Sequence, residues 1–161
     1  MAVKETPKGI LFVLVDCLAK GYPMFEDIDS MNKEEISYMT SDLRKKLNGE
    51  ILERFPKKIR SRMAAVNSEG DMLRIPTERE IFGGNFYGQE ESKLTKRWKP
   101  MKKKRNRIAF QGKEGDWEWY WLMNRHKDYA SRFANVDHYG YADYYYASHS
   151  RGVRPVFLLE R

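Results

Sequence analysis

The chain has 161 residues and a formal net charge of +7, with 41% hydrophobic and 14% aromatic residues against 33% charged ones. That length fits one domain with a core that needs no staples, and the apolar content excludes a chain disordered throughout. No apolar run reaches the length of a membrane span, and the opening MAVKETPKG lacks a signal peptide's charged start and apolar stretch, so the expectations are cytoplasmic folding and no membrane insertion.

Ile10 to Leu18 is rich in aliphatic and β-branched residues, and Gly9 before it and Gly21-Tyr22-Pro23 after it bound a buried first strand. Cys17 lies in that run and is the single cysteine, so it forms no intramolecular disulfide and reads as a small buried hydrophobe. From Ser41 a helix is signalled by a Ser cap, Asp42 in the first turn, Leu43 and Leu47 four apart, and Asn48-Gly49 as a stop or kink. Ile51, Leu52 and Phe55 extend its apolar stripe towards Pro56, the pattern of a helix that covers a core. Lys57 to Met63 predicts another short helix, and Asn67 to Asp71 a turn. Thr77-Glu78-Arg79-Glu80 is a capping box, and Gly83-Gly84 ends the short helix it starts. Glu78 and Glu80 are two apart on that helix, so they point to different sides and do not form a catalytic pair.

A basic insertion follows, from 89 to 107. Lys93, Lys96, Arg97, Lys99, Lys102, Lys103, Lys104, Arg105 and Arg107 crowd into it, with Leu94, Trp98 and Met101 as its only large apolar residues. Such a run is a solvated loop, or it binds nucleic acid or another polyanion through Lys102, Lys103, Lys104 and Arg105 with Trp98 stacking on a base. Next, Trp117, Trp119 and Trp121 alternate with Glu118, Tyr120 and Leu122, which places three indoles on one face of a strand and predicts that face to be core.

The last third has a different character. Between Arg125 and Pro155 lie six of the ten tyrosines and all three histidines, with almost no Leu, Ile or Met. Phe133 and Val136 read as inward anchors, and Gly140, Ala142, Ala147, Ser148, Ser150 and Gly152 as spacers that permit tight turns. The residues between them are expected to face out as a contact surface of His126, Asp128, Tyr129, Ser131, Arg132, Asn135, Asp137, His138, Tyr139, Tyr141, Asp143, Tyr144, Tyr145, Tyr146, His149 and Arg151. Tyrosine supplies a large rigid face and a hydroxyl with few torsions to freeze, as in antibody-like paratopes. Tyr, His, Asn and Asp also share codons with a central adenine and a pyrimidine third base. Their crowding points to one mutated codon type.

Three stretches, "IPTEREIFGGNFYG" at 75 to 88, "GDWEWYWL" at 115 to 122 and "ANVDHYGYADYYYASHSRGVRPVF" at 134 to 157, together make the chain resemble the variable proteins of diversity-generating retroelements. In that family template adenines are randomised and written into the 3′ end of the target gene. The resemblance implies an α+β fold of C-type lectin type, formylglycine-generating-enzyme-like, with short helices around small antiparallel sheets. It implies one ligand-binding domain over 1 to 161, a variable region at about 124 to 151, a variable macromolecular ligand that is a protein, and residence in a cytoplasm or a phage virion. The terminal strand, Val153 to Leu159, would lie beside the first one. The chain departs from the family pattern in two ways: Lys127 has no pyrimidine-ending codon, and Leu122, Met123, Asn124 and Arg125 stand where members carry Leu-Arg-Ser-Pro.

Catalytic patterns are not found in the sequence. No nucleophile with a base, metal cluster or cofactor loop has convincing spacing, so the expectation is a non-enzyme without a cofactor. His126, His138 and His149 with Asp128, Asp137 and Asp143 match no familiar zinc spacing. The Glu-Pro-Asn, Gln-Pro-Asp and Trp-Asn-Asp triplets of calcium-dependent lectins are absent, and one cysteine excludes the copper-binding pair of the related oxygenase.

Overall fold

The computed structural model describes all 161 residues as an α+β arrangement of short helices and three small antiparallel sheets. The first sheet contains β1 (Ala2–Thr6), β2 (Gly9–Val13), β3 (Met63–Ala64) and, paired between β2 and β3, the last strand β9 (Val156–Glu160). The apolar run that begins at Ile10 therefore forms a strand, but only to Val13, and it lies beside the C-terminal strand as expected. Along β9 the side chains alternate: Val156 and Leu158 enter one apolar core and Phe157 the other.

Ser41 caps α1 (Asp42–Lys46), its hydroxyl accepting from the Arg44 amide at 3.0 Å. The helix then widens into a π turn over Leu47–Ile51 that carries the kink at Gly49. Asn48 explains the kink's position. Its amide nitrogen donates to the Leu73 carbonyl at 2.9 Å, while its oxygen accepts from Met72 and Leu73, so a helix-breaking residue ties the helix to the next segment. The second helix, α2 (Lys57–Arg60), is one turn.

Thr77 begins α3 (Glu78–Phe82) with the expected capping box, and Glu80 also receives both nitrogens of the Arg74 fork at 2.8 and 2.6 Å. The second sheet is a two-residue pair, β4 (Ala109–Phe110) with β5 (Trp117–Glu118). The third comprises β6 (Tyr120–Arg125), β7 (Arg132–Val136) and β8 (Ala142–Tyr146), in that order.

Both faces of the third sheet are covered at its centre. Trp121 and Phe133 enter the same core as α1, while Tyr120, Leu122, Ala134 and Val136 enter the core shared with β2 and β9. Arg154, fully buried, joins these parts through neutral acceptors: the Leu14 carbonyl at 2.8 Å, the Asn106 carbonyl at 3.0 Å and the Tyr120 hydroxyl at 3.1 Å. No helix is long and apolar enough to cross a membrane.

Candidate ligand-binding surface

The strand β7 fixes the geometry of the aromatic mosaic. Phe133, Ala134, Asn135 and Val136 are all buried, so it is an interior strand, and β8 hangs on its outer side as the sheet's edge. The register pairs Arg132 with Tyr146, Phe133 with Tyr145, Ala134 with Tyr144 and Asn135 with Asp143. Side chains alternate along a strand, so Tyr144 and Tyr146 face one side and Asp143 and Tyr145 the other. The mosaic is not one surface but two, back to back across a single edge strand.

On the first side, Arg132 lies over the rings of Tyr129 and Tyr146 at 4.5 and 4.4 Å and donates to the Tyr146 hydroxyl at 2.8 Å. Tyr144 completes the cluster, packed against Tyr87 at 4.9 Å and His126 at 4.5 Å between ring centres. On the second side, Arg151 is sandwiched between Tyr145 and Trp119, 3.9 and 4.4 Å from their ring centres. His149 extends that side against Tyr145, and His138, Tyr139 and Trp117 pack together beyond Trp119. Both guanidiniums have the face-on placement that attracts a cation to an aromatic ring. Neither lies within 4.0 Å of a carboxylate, for the chain's four ion pairs are Arg44–Asp71, Lys46–Glu26, Arg74–Glu80 and Arg161–Glu5.

Several sequence expectations are corrected here. His126 and Asn135 are 4% and 2% exposed, so they belong to the floor of the mosaic and not to its contact surface. His126 faces inward because its Nδ1 accepts the backbone amides of Asp128 and Tyr129 at 3.0 and 3.2 Å, closing the turn between β6 and β7. Burial pushes the imidazole below its ordinary pKa; Asp128 raises it, Arg132 and Lys127 lower it further, and Glu78 raises it slightly. Asp128, Tyr129, Tyr139, Tyr141, Tyr146 and His149 are exposed, while Ser131, Arg132, Asp137, His138, Asp143, Tyr144, Tyr145 and Arg151 are half-buried. The indole row also differs from expectation. It runs from core to solvent: Trp121 is fully buried and donates to the Tyr22 carbonyl, Trp119 is half-buried, and Trp117 is 54% exposed. The expected core face ends where the cover ends.

The basic insertion is not a separate surface. Arg107 donates to the Gly140 carbonyl at 2.9 Å, and Lys104 reaches the Tyr141 hydroxyl at 2.6 Å with its ammonium over the ring. Gly140, at a φ of 82°, is pressed against the insertion so closely that a Cβ would lie 3.2 Å from Ile108 and the Lys104 carbonyl. Burial, with Arg97 nearby, lowers the Arg107 pKa. Lys102, Lys103 and Arg105 are exposed, but Trp98 is 3% exposed and cannot stack on a base.

Two residues that sequence reasoning did not assign to the site hold it in place. Tyr87 touches Tyr144 and His126, and its loop is fastened by Glu78, which is fully buried. The Glu78 carboxylate accepts from the Asn85 side chain at 3.1 Å and from the amides of Phe86, Tyr87 and Gly88 at 2.9, 3.0 and 3.1 Å. Gly88 passes so near that a Cβ would sit 2.3 Å from that of Asn124. The only signal in the sequence is the glycine-flanked NFYG after a helix with a spare acid.

No group of three His, Cys, Asp or Glu side chains comes together that could hold a metal ion. Cys17 is buried, and desolvation pushes its thiol up to about 12, so it is not a nucleophile at neutral pH. These features define a mixed α+β domain with a two-sided aromatic edge. The chain belongs to the family described as a domain of unknown function (DUF6273), whose model matches residues 10–161. No curated protein and no solved structure matches the chain significantly.

Proposed function

We propose that this is a noncatalytic ligand-binding protein of C-type lectin type, whose Tyr-rich C-terminal surface is diversified by a retroelement and recognises another protein. The observation that carries this reading is the placement of the mosaic. Most of its changeable residues ride on β8 and the flanking turns, while Phe133 to Val136 of the strand beneath, β7, are buried. A surface built that way alters its chemistry without altering its support. Arg132 and Arg151, stacked on tyrosine and in no ion pair, present charge suited to a recognition surface.

Sequencing the gene's surroundings tests the reading. The expected result is a reverse transcriptase gene nearby, with an imperfect repeat of the segment encoding residues 124 to 151 that differs only at template adenines. A locus with neither overturns the retroelement assignment. A second reading, polyanion binding, is favoured by the exposed Lys102, Lys103 and Arg105, none of which has an acidic partner. It requires binding of a single-stranded oligonucleotide that steepens as salt falls and vanishes when these three are changed to Gln.

A further inference from the structure

Resting on the ligand-binding reading above, we infer that the free edge of β8 is the docking site, and that its ligand is an extended peptide segment with adjacent acidic residues.

The hydrogen-bond register establishes the open edge. Ala147 donates to the Ser131 carbonyl at 2.8 Å and Asp137 to the Tyr141 carbonyl at 2.8 Å, which makes the odd-numbered residues of β8 the ones bonded to β7. The backbone groups of Ala142, Tyr144 and Tyr146 therefore point away from the sheet. No strand lies beside them. The Tyr146 carbonyl is taken by the His149 amide and the Tyr144 amide by its neighbour Asp143, at 3.1 and 2.8 Å. Both groups of Ala142, the Tyr144 carbonyl and the Tyr146 amide remain for an incoming backbone. A groove of about 340 Å³ runs along this edge, lined by Arg132, Asp143, Tyr144, Tyr145 and Tyr146.

Charge selects the peptide's side chains. Arg132 stands on one side of β8 and Arg151 on the other, each held flat by tyrosine and each without a carboxylate. A strand added to an edge sends consecutive side chains to opposite faces, so two adjacent acidic residues would reach one guanidinium each. Asp143 and Glu118 are engaged locally, with the Tyr144 and Trp119 amides at 2.8 and 2.9 Å, and Asp128, which shares a pocket with Arg132, forms no ion pair with it. Two further unpartnered groups lie on the Arg151 side, the Trp119 indole nitrogen and the Asn135 side-chain oxygen, the latter on a residue 2% exposed. The added strand satisfies the backbone, and the two arginines supply the preference.

The probe is a labelled, blocked octapeptide, Thr-Val-Thr-Glu-Glu-Thr-Val-Thr, titrated into the intact protein by fluorescence anisotropy. Its counterparts carry Gln-Gln or Lys-Lys at the centre. The acidic peptide is expected to bind at least about ten-fold more tightly than the Gln form, and Arg132→Gln and Arg151→Gln each to lose about ten-fold, as for charge-assisted hydrogen bonds. Amide resonances of Ala142 and Tyr146 should shift on binding in the parent protein, a readout independent of whether either variant folds. Binding of the Gln or Lys peptide as tight as that of the acidic one, shifts confined to another surface, or displacement of the acidic peptide by a single-stranded oligonucleotide overturns the inference. If the acidic peptide fails while ligands selected from a random peptide library bind and are lost on Tyr139→Ser, this inference falls and the ligand-binding reading stands. If no selected ligand depends on the mosaic, both fall.

Discussion

The segment around α3 and the mosaic around β8 treat charge in opposite ways. Around α3, Glu78 and Glu80 lie in the interior and every carboxylate oxygen is accounted for, by backbone amides in one case and by Arg74 and Thr77 in the other. Around β8 the arginines have rings but no anions. Of the five buried side-chain polar atoms without a partner, four belong to Trp119, Arg125, Asn135 and Arg151. Buried polar groups are normally satisfied, so the exceptions at Trp119, Asn135 and Arg151, all on the Arg151 side of β8, support the proposed ligand-binding reading, while Arg125 lies at the far edge of the sheet on β6. One region spends its polar groups on its own rigidity; the other leaves them available.

The contrast breaks most visibly if stability depends on the wrong region. Trp121→Ala should cost about 3 to 5 kcal/mol, the range for emptying a buried aromatic site, whereas Trp119→Ala, at the half-buried middle of the row, should cost below about 2 kcal/mol. Chemical denaturation of both variants measures the gap, and equal losses would return Trp119 to the core. Glu78→Ala should follow, at about 3 kcal/mol, because it leaves several buried amides of the Asn85 to Gly88 loop unpaired. Its effect should spread to the mosaic, read as loss of the ordered Tyr87 and Tyr144 resonances. A variant as stable as the parent would show that the loop needs no anchor.

A third test separates the regions by pH. Because the folded pKa of His126 is depressed by burial, its contribution is fully present above the unfolded value of about 6.5 and falls as pH drops through that value towards the folded pKa. Protonation also places a hydrogen on Nδ1, where the amides of Asp128 and Tyr129 now donate. Thermal melts between pH 7.5 and 5 should therefore decline more in the parent than in His126→Asn. Identical slopes would remove His126 from the account. The smallest effect is expected from Tyr139→Ser with Tyr141→Ser, each 52% exposed, which should change stability by about 0.5 kcal/mol or less apiece. Adding Tyr144→Ser and Tyr145→Ser should not be neutral, since both are half-buried against the sheet.

Local signals were legible in the sequence. The Ser41 cap, the kink at Asn48-Gly49, the Thr77 capping box and the strands near each terminus could be read because each depends on residues within a few positions of one another, or on a continuous apolar run. The α+β class was expected from the family resemblance, and these elements agree with it. The floor of the site was not legible. Nothing in the residue types of His126 or Asn135 distinguishes them from their exposed neighbours; burial was decided by β7 being covered on both faces, a tertiary fact. The indole row shows the same limit, because a period of two assigns a face to Trp117 and Trp121 but not how far the cover over that face extends. Glu78 was set aside as one of two acids pointing apart, and its task emerges only when the chain returns at Phe86 to Gly88.

The alternation along β8 also limits how this hairpin can change over generations. Tyr144, Tyr145 and Tyr146 owe their sides to a ladder fixed at both ends, by Ala147 with Ser131 and by Asp137 with Tyr141. Removing or inserting one residue between those ends would exchange every side chain from one face to the other and carry Tyr145 away from Arg151. Replacing a side chain at constant length leaves the ladder untouched. The hairpin is therefore a text that tolerates misspelling but not a missing letter, and length polymorphism among close relatives should fall outside residues 131 to 147.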